Sequence, residues 1–304
     1  MFTKAITYVK EFIENRNASG AVALIGSKDQ VWGPYPFGHY SFFPEEDPLE
    51  GNTIFDVASL SKVVSTTTLA LKLIETGELA LQHTIGDFVA DAPRDKRDIT
   101  MAQLLSHTSG IPAEAPLYES PLFNAGQGVM QAALALPLNN QPGQIVEYSC
   151  IGYIILGKII EQISGSPLDR LFTEEIARPL EMYDTGYNLN PTQLKRTAYT
   201  EWDPVKKTFL RGIVHDENAR ALQGISGNAG LFSSAADLGR FCQMLLNGGK
   251  WNDQTILREE SVALLNQDFT HSETEPRTLG WLLRSNTRCS GGKSISPQAI
   301  GHTG

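Results

Sequence analysis

The first pattern along the chain is helical. In MFTKAITYVKEFIENRN the apolar residues Ile6, Val9, Phe12 and Ile13 recur at helical spacing among Lys4, Lys10, Glu11 and Glu14, which predicts an amphipathic helix. The period then changes. SGAVALIGSKDQVW sets apolar and β-branched residues on either side of Gly26-Ser27-Lys28-Asp29, as expected for two strands joined by a turn. From residue 56 to about 280 the pattern is mostly helical again. SKVVSTTTLALKLIETG, YIILGKIIEQISG and AADLGRFCQMLLNGG carry apolar faces at three- and four-residue spacing and stop at Gly77, Gly165 and Gly248, where glycine can take the left-handed backbone that ends helices. Loops rich in Pro, Gly and Asn separate them, notably PLNNQPGQ and YNLNPTQ. There is no internal repeat and no low-complexity tract. After Trp281 the chain runs through a polar Ser- and Gly-rich stretch and resumes as a strand at AIGHTG.

Strands first and then a long helical block predict an α/β layer with a helical insertion. We expect residues 1–55 with 275–304 to form the sheet region and residues 56–274 a mostly helical region. A two-stranded hairpin is marginal by itself, so the sheet region is expected to lack partner strands and the chain to be a fragment of a longer protein. Composition adds exclusions. Hydrophobic residues are 41% and charged residues 19%, and no run of about 18 apolar residues predicts a transmembrane helix. The net charge of -9 works against nucleic acid as a partner. Cys150, Cys242 and Cys289 are far apart and form no C-x-x-C pair, which argues against a disulfide framework or a structural zinc site. The first helix lacks the uninterrupted apolar core of a secretory signal. A cytoplasmic location and export with the signal removed both stay open.

Three short motifs could carry chemistry. Ser59-Leu60-Ser61-Lys62 fits S-x-x-K; if Ser59 starts the following helix, Lys62 projects from the same face one turn later. Serine is a weak nucleophile and needs a neighbouring base, and a lysine withdrawn from water can accept its proton. A helix N-terminus also places the Ser59 backbone N–H where an oxyanion develops. The second motif is Pro142-Gly143 followed by Tyr148-Ser149-Cys150 at the head of a helix. Tyr148 either shares the proton with Lys62 or is a half-buried packing residue. The third, His302-Thr303-Gly304, is a strand edge presenting a hydroxyl to a substrate carboxylate or carbonyl.

Taken in order and spacing, the three motifs resemble the class C β-lactamase-like and penicillin-binding-protein serine hydrolases. That family's pattern is S-x-x-K, then Y-x-N or Y-S-x, then K-T-G or H-T-G, found here at 59, 148 and 302. LLSHTSGIP, ARPLEMYDTGY, VHDENARAL and GNAGLFSSAADLGRF match it as well. The resemblance implies a β-lactamase/transpeptidase-like fold, with an antiparallel sheet flanked by helices, a mostly helical domain and the C-terminal strands missing. It implies Ser59 as the acylated nucleophile, Lys62 as its proton acceptor and Tyr148 as a second acid/base. Cys150, His302, Thr303 and Gly304 are the implied substrate-binding residues. The implied partner is a small-molecule or peptide substrate, namely a peptidoglycan-type cell-wall peptide, an ester or a β-lactam, with no cofactor and no metal.

Three departures bear on activity. Cys150 stands where many members have Asn or Asp, and a thiol cannot make the same amide contacts. His302 stands where β-lactamases usually have Lys, which is more usual in the peptidase- and esterase-like members. The second oxyanion-hole N–H of the family comes from the residue after H-T-G, and two strands and a closing helix usually follow it. A catalytically silent protein that binds a cell-wall fragment or β-lactam is the rival expectation.

Other residues carry weaker signals. Cys150 has no helper histidine pattern for a nucleophile. His107, within LLSHTSG, is expected to be a satisfied packing residue. His215-Asp216-Glu217 are adjacent in sequence and rarely could face one ion. Gly227, Gly230, Gly248 and Gly249 form no nucleotide-binding pattern, and Gly224-Ile225-Ser226-Gly227-Asn228 lacks the last glycine of a G-x-S-x-G elbow.

Overall fold

The computed structural model describes residues 2–43, 47–123, 128–204, 206–272, 274–284 and 294–304. Cys289 and much of the polar stretch after Trp281 lie outside the described residues. The amphipathic pattern at the N-terminus forms a helix over Thr3–Glu14, whose Ile13 is buried. It packs on an antiparallel hairpin of Gly20–Gly26 and Val31–Gly38. The helix Ala235–Leu246 also lies on this hairpin, close enough that a Cβ on Gly239 would come within 2.8 Å of Leu24 Cδ2. Its Gln243 side chain donates to the Ser27 carbonyl in the turn.

The core forms around the helix Cys150–Ser164. Ile151, Ile154, Ile155, Ile159 and Ile160 are all buried, so this helix is apolar nearly all round, the mark of a central rather than a surface helix. Ser149 caps its start by accepting the Gly152 N–H, and Gly165 ends it at φ +65°. Beside it runs a π-helical turn, Lys62–Thr67, continued as an α-helix over Thr68–Thr76 and closed by Gly77 at φ +79°. The VVSTTT run explains the wider turn. Valine and threonine crowd the α conformation, and two buried hydroxyls take tertiary partners: Thr66 donates to Gly227 O and Thr67 meets Tyr153 Oη, while Thr68 bonds back within the segment to Val63 O.

A small antiparallel sheet leads into this core. Leu231–Ser234 is its middle strand, flanked by Ile54–Asp56 and Gly186–Tyr187. The pair Leu282–Leu283 and Ile300–Gly301 forms a separate ladder. The strand expected at AIGHTG therefore ends at Gly301, and among the described residues His302-Thr303-Gly304 has no ladder partner. The pairing with Leu282 runs out there, and the triad turns instead toward the segment before Ser59: a Cβ on Gly304 would lie 2.2 Å from Val57 O. Among the described residues no helix is long and apolar enough to cross a membrane.

Candidate active site

Ser59 is presented by a turn that Asp56 organises. Asp56 Oδ1 accepts the Ala58 N–H at 2.9 Å and Oδ2 accepts the His215 N–H at 2.8 Å. Burial raises its carboxyl above the usual range, and the two amide bonds oppose that shift. Ala58 takes φ +44°, a left-handed conformation uncommon outside glycine, and the helix begins directly after Ser59. Ser61, the middle serine of the motif, is structural. Its hydroxyl donates to Ala58 O at 2.6 Å and accepts the Leu231 N–H at 3.0 Å, tying the turn to the sheet.

Lys62 is fully buried. Its Nζ donates to Ser59 Oγ at 2.9 Å, to Asn228 O at 3.0 Å and to Cys150 Sγ at 3.4 Å. Among the described residues no carboxylate forms an ion pair with it. The S-x-x-K spacing thus produces the expected contact in three dimensions. Two of the three bonds come from positions far away in sequence.

Asn228 arrives through a close glycine contact. A Cβ on Gly227 would lie 2.1 Å from Tyr153 O, and one on Gly157 would lie 2.9 Å from Gly227 Cα. The loop lies against the helix backbone itself, which only glycine allows. The Asn228 side chain is then held by Ser226 Oγ and Asp216 Oδ2, and Asp216 also caps the helix Glu217–Ala221. Asp216 is therefore structural here. Among the described residues no group of three His, Cys, Asp or Glu side chains is arranged to hold a metal.

Tyr148 faces Lys62 with its ring, 4.8 Å from Nζ, and the buried hydroxyl makes no hydrogen bond. The direct Tyr148–Lys62 bond considered from sequence is not formed in this state. Ser59, Tyr148, His302, Thr303 and Gly304 line one cavity of about 270 Å³ together with Arg277. The structure thus gathers the three motifs at one place. Cys150 lies against Lys62 and borders a second cavity of about 480 Å³, which shares Ser59 with the first and is also lined by Glu114 and His215.

The histidines of the site are neutral near pH 7. Burial, then the neighbouring Lys62, lowers His302 to about 4. Its Nδ1 lies 2.7 Å from Thr303 O, and its buried Nε2 has no partner. His107 is lowered well below the usual value, chiefly by burial and then by Arg277 and Lys62. Its Nδ1 accepts the Ser149 N–H at 3.0 Å, so the neutral ring carries its proton on Nε2. That Nε2 is buried without a partner. His107, packed against Tyr148 and Tyr153, is therefore only half satisfied, unlike the sequence expectation.

Arg277 is the residue that sequence reading missed altogether. It is 4% exposed, Nε and Nη2 donate to Glu275 Oε1, and the guanidinium lies 5.1 Å from the Tyr148 ring. No motif surrounds it to flag it.

A sequence profile of the family described as Beta-lactamase matches residues 5–304. A putative D-alanyl-D-alanine carboxypeptidase of Escherichia coli (strain K12) is 33% identical over 292 residues, which cover 85% of this chain and 66% of that protein. This chain thus spans just under two thirds of that relative's length. Among solved structures, a beta-lactamase/D-alanine carboxypeptidase from Pseudomonas syringae superposes with a TM-score of 0.76 at 20% identity, over 92% of this chain and 74% of that one. EstCE1, a hydrolase with promiscuous acyltransferase activity, superposes with a TM-score of 0.75 at 23% identity, over 97% and 86%. Both likenesses establish the β-lactamase/transpeptidase-like fold.

Proposed function

This chain belongs to the beta-lactamase family, and we propose that it is a serine hydrolase that cleaves amide or ester bonds through an acyl-enzyme on Ser59. One observation carries the reading: the Lys62 amine sits 2.9 Å from the Ser59 hydroxyl, and among the described residues no carboxylate pairs with it. Ser59 Oγ attacks the substrate carbonyl while Lys62, acting as the neutral amine, turns its lone pair to Ser59 and takes the proton, its two N–H groups staying on Asn228 O and Cys150 Sγ. The Ser59 backbone N–H, at the head of the helix, donates to the developing oxyanion. Tyr148, whose hydroxyl has no competing partner, passes a proton to the leaving group. Water then attacks the ester, and the same groups return the proton to Ser59 Oγ.

The favoured substrates are peptidoglycan-type peptides, followed by simple esters. β-Lactams are expected to acylate Ser59 without fast turnover. Support for the peptide class comes from the name of the E. coli relative and from His302 in place of the lysine usual in β-lactamases. The test is intact-protein mass before and after exposure to an activated ester and to a fluorescent penicillin. The expected outcome is a mass gain equal to one acyl group, absent in Ser59→Ala. No gain with either reagent would remove the acyl-enzyme reading and favour a silent binding protein.

A further inference from the structure

The LLSHTSGIP stretch, residues 104–112, lines neither of the two cavities that share Ser59, yet it runs beside the Tyr148 motif. Thr108 O accepts the Gly143 N–H at 2.7 Å, Pro112 O accepts the Ser149 hydroxyl at 2.7 Å, and the next residue, Ala113, accepts the Cys150 N–H at 2.8 Å. His107 is the centre of this contact and is 1% exposed. Its backbone carbonyl accepts the Glu147 N–H at 2.9 Å, and its ring Nδ1 accepts the Ser149 N–H at 3.0 Å. One residue therefore holds both amides that flank Tyr148. The ring also packs on Tyr148 and Tyr153, with centroids 4.4 and 4.9 Å away, and Tyr153 is fixed in turn by Leu105 O and Thr67. His107 takes φ +61°, a left-handed conformation that persists where the surroundings over-determine it.

We infer that His107 is the positioning residue for Tyr148: by holding the chain on both sides of that residue and backing its ring, it sets where the phenol stands relative to Lys62 and Ser59. Its consequence for catalysis rests on the reading of Tyr148 as proton donor to the leaving group; the seat itself does not. His107 acts through position and passes no proton to Tyr148, since neither its Nε2 nor the Tyr148 hydroxyl has a hydrogen-bond partner. A neutral imidazole suits the task because it offers a rigid acceptor at Nδ1 and a flat face at the same time. Phenylalanine offers only the face. Asparagine offers only the acceptor, although it tolerates the left-handed backbone.

The probes are the p-nitrophenyl ester and the p-nitroanilide of N-acetyl-D-alanine, which share an acyl group; only the anilide needs a proton on its departing atom. In His107→Phe the anilide kcat is expected to fall by about ten- to a hundredfold, the cost of a displaced catalytic group, while acylation by the ester falls much less. His107→Asn should recover most of that loss. In a Tyr148→Phe background neither substitution should lower the anilide rate further, because the position being set then holds no donor. Equal losses on ester and anilide, or losses that add to that of Tyr148→Phe, would make His107 a packing residue and overturn the proposal. Hydrogen exchange of the Ser149 amide needs no substrate. It should be faster in His107→Phe than in the unaltered protein, and an unchanged rate removes the seat. If His107→Phe does not fold, His107→Asn decides: the missing ring contact should cost the anilide severalfold, and nothing in the Tyr148→Phe background. If the unaltered protein opens only the ester, or Tyr148→Phe leaves the anilide rate unchanged, the proton-donor reading fails, and exchange at Ser149 alone decides the seat.

Discussion

The two walls of the Ser59 cavity are finished to different degrees. On the Lys62 side the protein satisfies its own groups: Nζ has three partners, Ser61 bonds in both directions, and Thr66 holds the Gly227 carbonyl. On the facing side, Tyr148, Arg277 and His302 each keep a buried polar atom without a partner. A buried group left unpaired costs about 1–3 kcal/mol, so the second wall is less stable as it stands than it would be with a polar ligand in place. The first wall is built to hold a geometry and the second to receive something. Mutations on the two walls should therefore separate stability from activity in opposite ways.

The largest effect is expected on the finished wall. Lys62→Met keeps most of the volume but removes the proton acceptor, and the rate of Ser59 acylation by an activated ester should fall by about 10² to 10⁴. A fall of less than threefold would mean that another group takes the proton. Tyr148→Phe tests the other wall. Removing its hydroxyl deletes an unpartnered buried group, so the thermal midpoint should hold or rise, while kcat on an amide should drop by about 10² if the hydroxyl serves the leaving group. A loss of stability would show that the hydroxyl is satisfied after all, and the contrast between the walls would weaken. Gly227→Ala returns to the finished wall. A Cβ 2.1 Å from Tyr153 O cannot be accommodated without displacing the loop, and overpacking of this kind costs about 1–3 kcal/mol. Because the loop carries Asn228 O to Lys62, urea unfolding and acylation rate should decline together. A stability loss with normal acylation would show that Lys62 does not need that carbonyl.

The same division explains what could be read from the sequence. Ser59 and Lys62 are three residues apart, and one helical turn brings them together whatever the rest of the fold does. Helix ends at Gly77 and Gly165 were legible for the same local reason. Asn228 and Arg277 reach the site through tertiary contacts, a glycine-on-glycine approach in one case and packing against the Tyr148 ring in the other, and neither leaves a local pattern. The π-helical turn at Lys62–Thr67 has helical periodicity in sequence, so its extra width was invisible. Cys150 was read as facing substrate from its place in a motif; its contact with Lys62, 88 residues away in sequence, had no local signal, and the thiol also borders the second cavity beside Ser59.

The smallest expected effect concerns pH and again separates the walls. In the unfolded chain His302 would protonate near 6.5, whereas in the folded protein burial and Lys62 hold it to about 4. Between those values the unfolded state binds the additional proton, so stability falls as pH drops from about 6.5 toward 4 and levels off below. His107 acts in the same direction. Asp56 and Asp237 act against it, because burial raises their carboxyls and the folded state then takes up protons first. The clean measurement is therefore a difference: thermal midpoints of the unaltered protein and of His302→Gln at pH 7, 5.5 and 4.5. The variant should lose less on acidification, by an amount smaller than the Gly227→Ala effect because His302 is only partly withdrawn from water. Parallel curves would mean that His302 meets solvent freely, and the facing wall would then be less closed than its unpartnered groups indicate.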